Sequence, residues 1–358
     1  MKFWMTMLLI GFTVALTGCS GDDDAKQEDT STTQAAAETP IFTLAWSEYP
    51  SWSAFGVASE KGLINGTEGE LGALERKHNV DIVLREADYD TCITMYGSGT
   101  ADATCITNMD ILQPSLSVSS VAILPTSRSH GADALITVGI DKVEDLKGVT
   151  VYGLEKSVSQ YTFARNLEIA GLEEAEFTFK NQDPAAAAQA MQTGQEGYEA
   201  ILVWNPFVNQ TLKTVKGSKV LFDSTTIPNE IIDMVVVSQS SLDKEGGERF
   251  ASCVCETFYG VNELLNDPTV RDDTLVALGA KFSSLNAEEM GRCLEQTVFY
   301  KTPTEATQLF EGKILPQTMT KVAEFCATHG ITDSAPKISY DGSPSQLTFS
   351  TKYIKSVE

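Results

Sequence analysis

Ile231-Ile232-Asp233-Met234-Val235-Val236-Val237 is a hydrophobic run that reads as a strand, and where it returns decides the fold. It closes a series of alternating strands and helices that begins after Asp133. In that series residues 134–138, 149–152, 177–179, 198–204 and 220–222 read as strands. Residues 141–148 read as a short helix stopped by glycine, and residues 159–169 as an amphipathic helix. Residues 184–191 form an Ala-rich helix opening on proline, where the missing N–H does no harm. Upstream lies an earlier series, with strands at 42–46, 80–84, 101–106 and 121–124. Helices at 52–61, near 89–96 and from 109–112 separate them, and from Glu245 onward the pattern is mostly helical. Alternation of this kind gives mainly parallel sheets covered by helices. The run at 231–237 takes the chain back to the first series, so the expected architecture is α/β and two-lobed. Lobe 1 is residues 41–130 and 235–358, and lobe 2 is residues 131–234.

The chain has 358 residues, 42% of them apolar, enough to bury the cores of two ordinary lobes. Its formal net charge of −23 argues against a nucleic-acid backbone or an anionic lipid surface as partner. The three histidines, His78, His130 and His329, are far apart. There is no HExxH, CxxC, P-loop or GxSxG pattern, so the common metal, redox, nucleotide and hydrolase signatures are missing, and no cofactor or metal is expected. No solenoid-type repeat is present.

The N-terminus addresses the compartment. Lys2 precedes an apolar run from Phe3 to Ala15 that is too short to span a membrane, which makes residues 1–18 a signal peptide. The run ends in Leu16-Thr17-Gly18-Cys19, which looks like a bacterial lipobox with Cys19 as the lipid-modified first mature residue. Residues 19–40 are polar and without apolar periodicity, the composition of a flexible tether. Six other cysteines remain, Cys92, Cys105, Cys253, Cys255, Cys293 and Cys326. An even number in an exported chain suggests up to three disulfides, with unpaired buried thiols as the other reading. The pairing stays open.

Two hinged α/β lobes leave a cleft at the carboxyl ends of their strands, where small ligands bind. The candidate binding residues therefore lie there. After the first strand come Trp46, Glu48, Tyr49 and Trp52, aromatic faces and a carboxylate suited to a planar or cationic guest. After the strand ending at Ile106, Asn108 and Asp110 either begin the next helix or accept ligand N–H groups. Glu155 with Ser157 and Ser159 enters another helix, and the acid disfavours an anion there. Trp204 stands at the cleft rim, beside Asn205 as an N-cap and Pro206 as the first helical residue. Glu230 and Asp233 face either the cleft or solvent.

These segments, in this order, resemble the periplasmic solute-binding proteins of the nitrate/taurine/sulfonate class of ABC transporters. Within that class, Ala45-Trp46-Ser47 with Tyr49 and Trp52, Thr107-Asn108-Met109-Asp110, Glu155 with Ser157-Val158-Ser159, Trp204-Asn205-Pro206 and the stretch from Ile227 to Asp233 resemble the branch associated with urea carboxylase gene clusters. The resemblance covers residues 41–240. It implies a type II-like periplasmic binding protein fold and a small nitrogen-rich solute, guanidinium, urea or a related amine or amide. It also implies a monomer that is no enzyme, works with an inner-membrane ABC permease and is held to the membrane through Cys19. An anionic solute such as taurine, an aliphatic sulfonate or nitrate is the alternative. A pyrimidine-synthesising enzyme of related fold and a sensory lipoprotein stand behind it.

Overall fold

Two mixed β-sheets, each flanked by helices, carry residues 38–281 and 285–357, which the computed structural model describes. The signal peptide, Cys19 and nearly all of the tether lie outside the described residues. Among the described residues no helix is long and apolar enough to cross a membrane.

In chain order the strands are β1 (Ile41–Trp46), β2 (Asp81–Glu86), β3 (Ala103–Thr107), β4 (Ser120–Ser129), β5 (Asp133–Val138), β6 (Thr150–Gly153) and β7 (Thr178–Asn181). They continue as β8 (Ala200–Trp204), β9 (Ser218–Asp223), β10 (Ile232–Ser238), β11 (Thr297–Phe299), β12 (Ile338–Ser339) and β13 (Leu347–Phe349). The first sheet has the order β12-β13-β4-β10-β3-β1-β2, with β11 also paired to β4. The second has the order β7-β6-β8-β5-β9. The chain leaves the first sheet after β4 and returns on β10, so the second sheet hangs on two crossings.

The sheets are mixed rather than mainly parallel. β1 pairs in parallel with β2 and β3, but β10 runs antiparallel to both β3 and β4. In the second sheet β5 is antiparallel to β8 and β9. The strands that break the parallel pattern flank the crossings, because an excursion out and back reverses chain direction. β10 joins the first sheet from Ile232, slightly before the expected boundary at 235.

β4 is also longer than its apolar segment 121–124 implies. It runs through Pro125 to Ser129, and the register slips there: Asp233 faces Ser127 while Met234 faces Pro125. Thr126 is therefore bulged out, a usual place for a strand to accommodate proline and to re-aim a neighbouring side chain. Here the neighbour is Asp233.

The C-terminal segment is helical, led by Gly247–Asn266, whose Phe250, Val254, Phe258 and Val261 are wholly buried. Phe250 stacks on Phe42 of β1 with ring centroids 4.7 Å apart, which fixes this helix against the first sheet. The short strands β11 to β13 within this segment escape the sequence pattern because two or three residues cannot show alternation.

All six described cysteines are buried free thiols, so the disulfides held open by their even number are not formed. Each sits in apolar packing, as small hydrophobes do. Burial pushes Cys92 up to about 12 and Cys326 up to about 12.

Candidate functional site

The strand ends of the two sheets meet around one narrow cavity, about 260 Å³ of non-atom space that is partly open to solvent. The loop after β1 supplies Tyr49 and Trp52, and the start of the helix Tyr89–Gly97 supplies Tyr89. Trp204 enters from the end of β8 and Val158 from the start of the helix Val158–Ile169. Thr107 ends β3, Ile231 and Asp233 come from the return crossing and β10, and Asp133 opens β5. Between the side chains as they stand there is room for little more than a water-sized guest, so a larger one requires the walls to part.

The aromatic rings form a connected wall. Tyr49 and Trp52 have centroids 4.8 Å apart, Trp52 and Tyr89 stack at 5.3 Å, and Trp204 meets Tyr89 edge-on at 5.9 Å. Ring faces gathered in this way attract positive charge.

The polar lining is acidic. Tyr89 Oη donates to Asp110 Oδ2 at 2.7 Å, and Thr107 Oγ1 donates to the same oxygen at 2.8 Å. Ser127 Oγ donates to Asp233 Oδ2. Asp110 Oδ1, Asp133 Oδ2 and the indole Nε1 of Trp52 are buried without a hydrogen-bond partner. Among the described residues no lysine, arginine or histidine lines the cavity.

Burial therefore destabilises the ionised carboxyls. It raises Asp110 to about 7, against the hydrogen bonds from Tyr89 and Thr107. It raises Asp133 to about 6, and Asp233 well above the ordinary range, with Asp133 adding repulsion. Outside the cavity, a wider opening shares Tyr89 and Trp204 with it and is lined by Glu48, Glu86, Asp88, Asp90 and Asp183. Burial and then the charge of Glu86 raise Glu48, and burial followed by Asp88 and Asp183 raises Asp90.

The residues singled out from sequence divide into three groups. Tyr49, Trp52, Trp204 and Asp233 line the cavity, and Asp110 backs it through Tyr89. Glu48 lines the outer opening, while Ser157 caps the helix at Val158 by accepting from the Ser159 N–H. Ser159 is buried in the first turn with its hydroxyl unpartnered.

The third group is occupied elsewhere. Trp46 packs within the first lobe, where a Cβ on Gly56 would stand 3.1 Å from its ring. Asn108 donates to the Glu230 carbonyl at 3.1 Å and accepts from the Ile232 N–H at 2.9 Å, pinning the return crossing. Glu155 stays exposed, its backbone N–H donating to Asn181. Pro206, not Asn205, holds the N-cap position of the helix Phe207–Thr214. The Asn205 amide instead donates to Gln296 Oε1 at 2.8 Å, while its Oδ1 accepts from the Asn209 side chain in that helix at 3.0 Å.

Glu230 takes Arg165 at 3.0 Å and Lys321 at 2.6 Å, with the Tyr161 hydroxyl donating to it. Burial opposes its charge, but hydrogen bonds from Arg165, Lys321 and Tyr161 prevail and hold it at about 2.

Five lining residues were not among the candidates: Thr107, Val158 and Ile231, which stand beside candidates, and Tyr89 and Asp133. Tyr89 begins the helix after β2, the same kind of strand-end position that drew attention to Trp52. Asp133 stands at the start of β5, where a search of carboxyl ends does not look; because β5 is antiparallel to β8, its start lies beside the end of β8 at Trp204.

His78 pairs with Glu256 at 2.7 Å and His329 with Glu174 at 2.8 Å, both away from the cavity. Among the described residues no group of three or more His, Cys, Asp or Glu side chains is placed to hold a metal ion.

No family model and no curated protein sequence matches the chain. Solved structures do. The periplasmic aliphatic sulfonate-binding protein SsuA from Escherichia coli superposes with a TM-score of 0.64 at 17% identity, covering 82% of this chain and 89% of its own. The alkanesulfonate-binding SsuA from Xanthomonas axonopodis pv. citri, bound to MOPS, gives 0.65 at 17% identity over 84% and 96%. The ligand-binding component of an ABC-type import system from Staphylococcus aureus gives 0.65 at 11% identity over 89% and 99%. These likenesses establish the periplasmic binding protein fold, two helix-flanked sheets in an α/β arrangement. The similar proteins are solute binders rather than enzymes by their descriptions.

Proposed function

We propose that the chain is the extracytoplasmic solute-binding protein of an ABC importer and that it captures a small nitrogen-rich cation, with guanidinium as the leading guest and urea or a small amine or amide next. It is a monomeric lipoprotein tethered through Cys19 and delivers its guest to an inner-membrane permease. It is not an enzyme. The observation that carries the reading is the pairing of an aromatic wall with Asp133 and Asp233 in one narrow cavity that, among the described residues, no basic side chain lines. Guanidinium is planar, stays charged near neutral pH and presents N–H groups to acidic oxygens, while its faces suit the rings of Trp52 and Tyr89.

A second reading takes its support from the fold. Two similar structures are sulfonate binders by description, so taurine or an aliphatic sulfonate is the competing guest. Against it stands the cost of burying an anion beside carboxylates without a compensating cation. Thermal melting with guanidinium, urea, methylamine, taurine and nitrate at millimolar concentration separates the two. Ligands selective for the folded state raise the melting temperature. The proposal expects a rise with guanidinium and none with taurine or nitrate, and the reverse pattern rejects it.

A further inference from the structure

Two carboxyl groups, those of Asp133 and Asp233, line one narrow cavity, and a third, that of Asp110, stands behind its wall at the hydroxyl of Tyr89; among the described residues no lysine, arginine or histidine lines it. Asp133 is 2% exposed, and its unpartnered Oδ2 belongs to a side chain that lines the space. A buried cluster of like charges cannot remain fully ionised without a counter-ion, since burial and mutual repulsion both favour the neutral acid.

The surroundings supply hydrogen-bond donors that only partly offset this. Around Asp110 stand Tyr89, Asp90 and Asp133, and Cys326 also feels its charge. Around Asp133 stand Ser129 and Asp223, from β4 and β9. Around Asp233 stand Ser127, Tyr49, Asp133 and Asp110. Tyr300 also feels Asp233, together with Arg128 and Glu305. Arg128 is the one basic group in this circle, and it does not line the cavity.

We propose that the cavity exchanges protons for its guest: Asp110, Asp133 and Asp233 together hold at least one proton while the site is empty and release it to solvent when a small cation enters. One positive charge enters as another leaves, so the buried site never carries its full negative charge unshielded. The inference rests on the cation-binding reading of this cavity and adds how its affinity is governed. The elevated values of Asp110, about 7, and Asp133, about 6, agree with it and place the exchange near neutral pH. The three acids titrate as a coupled set, so the proton belongs to the cluster rather than to one member.

This exchange also sorts guests by charge. A cation gains affinity as pH rises through the exchange window, whereas a neutral guest such as urea gains no charge–charge attraction from ionised acids. In the protonated site a carboxylic acid becomes a hydrogen-bond donor, which suits a carbonyl oxygen.

The test is calorimetric titration of the mature protein with guanidinium at about pH 6.5, midway between the values of about 6 and about 7, in two buffers that differ in ionisation enthalpy. Binding should release roughly half a proton to one proton per guest, read as a buffer-dependent heat. The dissociation constant should tighten by up to about tenfold per pH unit within the window and level off above it. Asp133→Asn should reduce both the release and the pH slope. Saturable guanidinium binding with equal heats in both buffers and a pH-independent dissociation constant overturns the exchange and leaves the cation reading intact. Absence of saturable binding by guanidinium and methylamine overturns both.

Discussion

Asp133 and Asp233 face the same cavity from different sheets, one opening the first strand of the second lobe and the other on the strand that returns to the first. Each belongs to a crossing region, so the two acids meet only when both lobes contribute their strands. Asp133 raises the value of Asp233 directly. A guest held between them would contact strands of both sheets.

The two tryptophans Trp46 and Trp52 should separate cleanly. Trp52→Ala removes part of the cavity wall, and losing one cation–π face of about 0.5–2 kcal/mol weakens guanidinium binding by roughly 2- to 30-fold. Trp46→Ala leaves a hole in the first lobe and lowers unliganded stability by about 3–5 kcal/mol. Thermal melting with and without guanidinium reads both: each variant loses stability, since Trp52 is as buried as Trp46, but only Trp52→Ala should lose the guanidinium-dependent rise, and an equal loss of that rise in both would contradict the assignment.

The acids give the empty protein a defined pH dependence. Asp110 and Asp133 have folded values of about 7 and about 6, above the ordinary 3.8. Between the ordinary and folded values the native state binds more protons than the unfolded chain, so this contribution to stability is full at low pH and is lost as pH rises through the folded values. A two-unit shift corresponds to about 3 kcal/mol at most for Asp133. Melting temperatures of the unliganded protein should therefore decline from about pH 5 to about pH 7, and Asp133→Asn should decline less. An equally steep decline in the variant would count against Asp133 as a source.

Glu230 works in the opposite direction. Held at about 2 by Arg165, Lys321 and Tyr161, it contributes stability that is present above its ordinary 4.5 and lost as pH falls toward 2. Glu230→Gln should cost about 2–3 kcal/mol at neutral pH, because Arg165 and Lys321 lose a buried partner. The loss should shrink at acid pH in thermal melts. A constant difference across pH would show that the charge is not what matters.

The cysteines offer a simple count. Buried thiols with raised values are poor nucleophiles. A thiol reagent should leave Cys92, Cys105, Cys253, Cys255, Cys293 and Cys326 unmodified in the native protein and label all six once the chain is unfolded in detergent. Mass spectrometry of the products reads the number, and a mass lower by two hydrogens per pair before labelling would reveal disulfides.

Much of this was legible in the residue order. The strands from β1 to β10 announce themselves through apolar runs between turn signals, and Trp52, Trp204 and Asp233 sit where strand ends meet the cleft. The failures are of two physical kinds. One is direction: Trp46 ends β1 and Trp52 follows six residues on, and only packing decides that Trp46 turns to Gly56 while Trp52 turns to the cavity. The other is distance: Glu230 meets Lys321 and Asn205 meets Gln296 across 91 residues in each case, partners no local pattern reveals. Asp133 was overlooked because antiparallel pairing brings the start of a strand to the site, which a parallel expectation places at the far edge.

The most direct test is a crystal structure of the protein grown with guanidinium. The account expects the cation in the cavity, its N–H groups on Asp133 and Asp233 and its face against Trp52. An empty cavity beside a sulfonate or nitrate bound by basic side chains elsewhere in the cleft would contradict it.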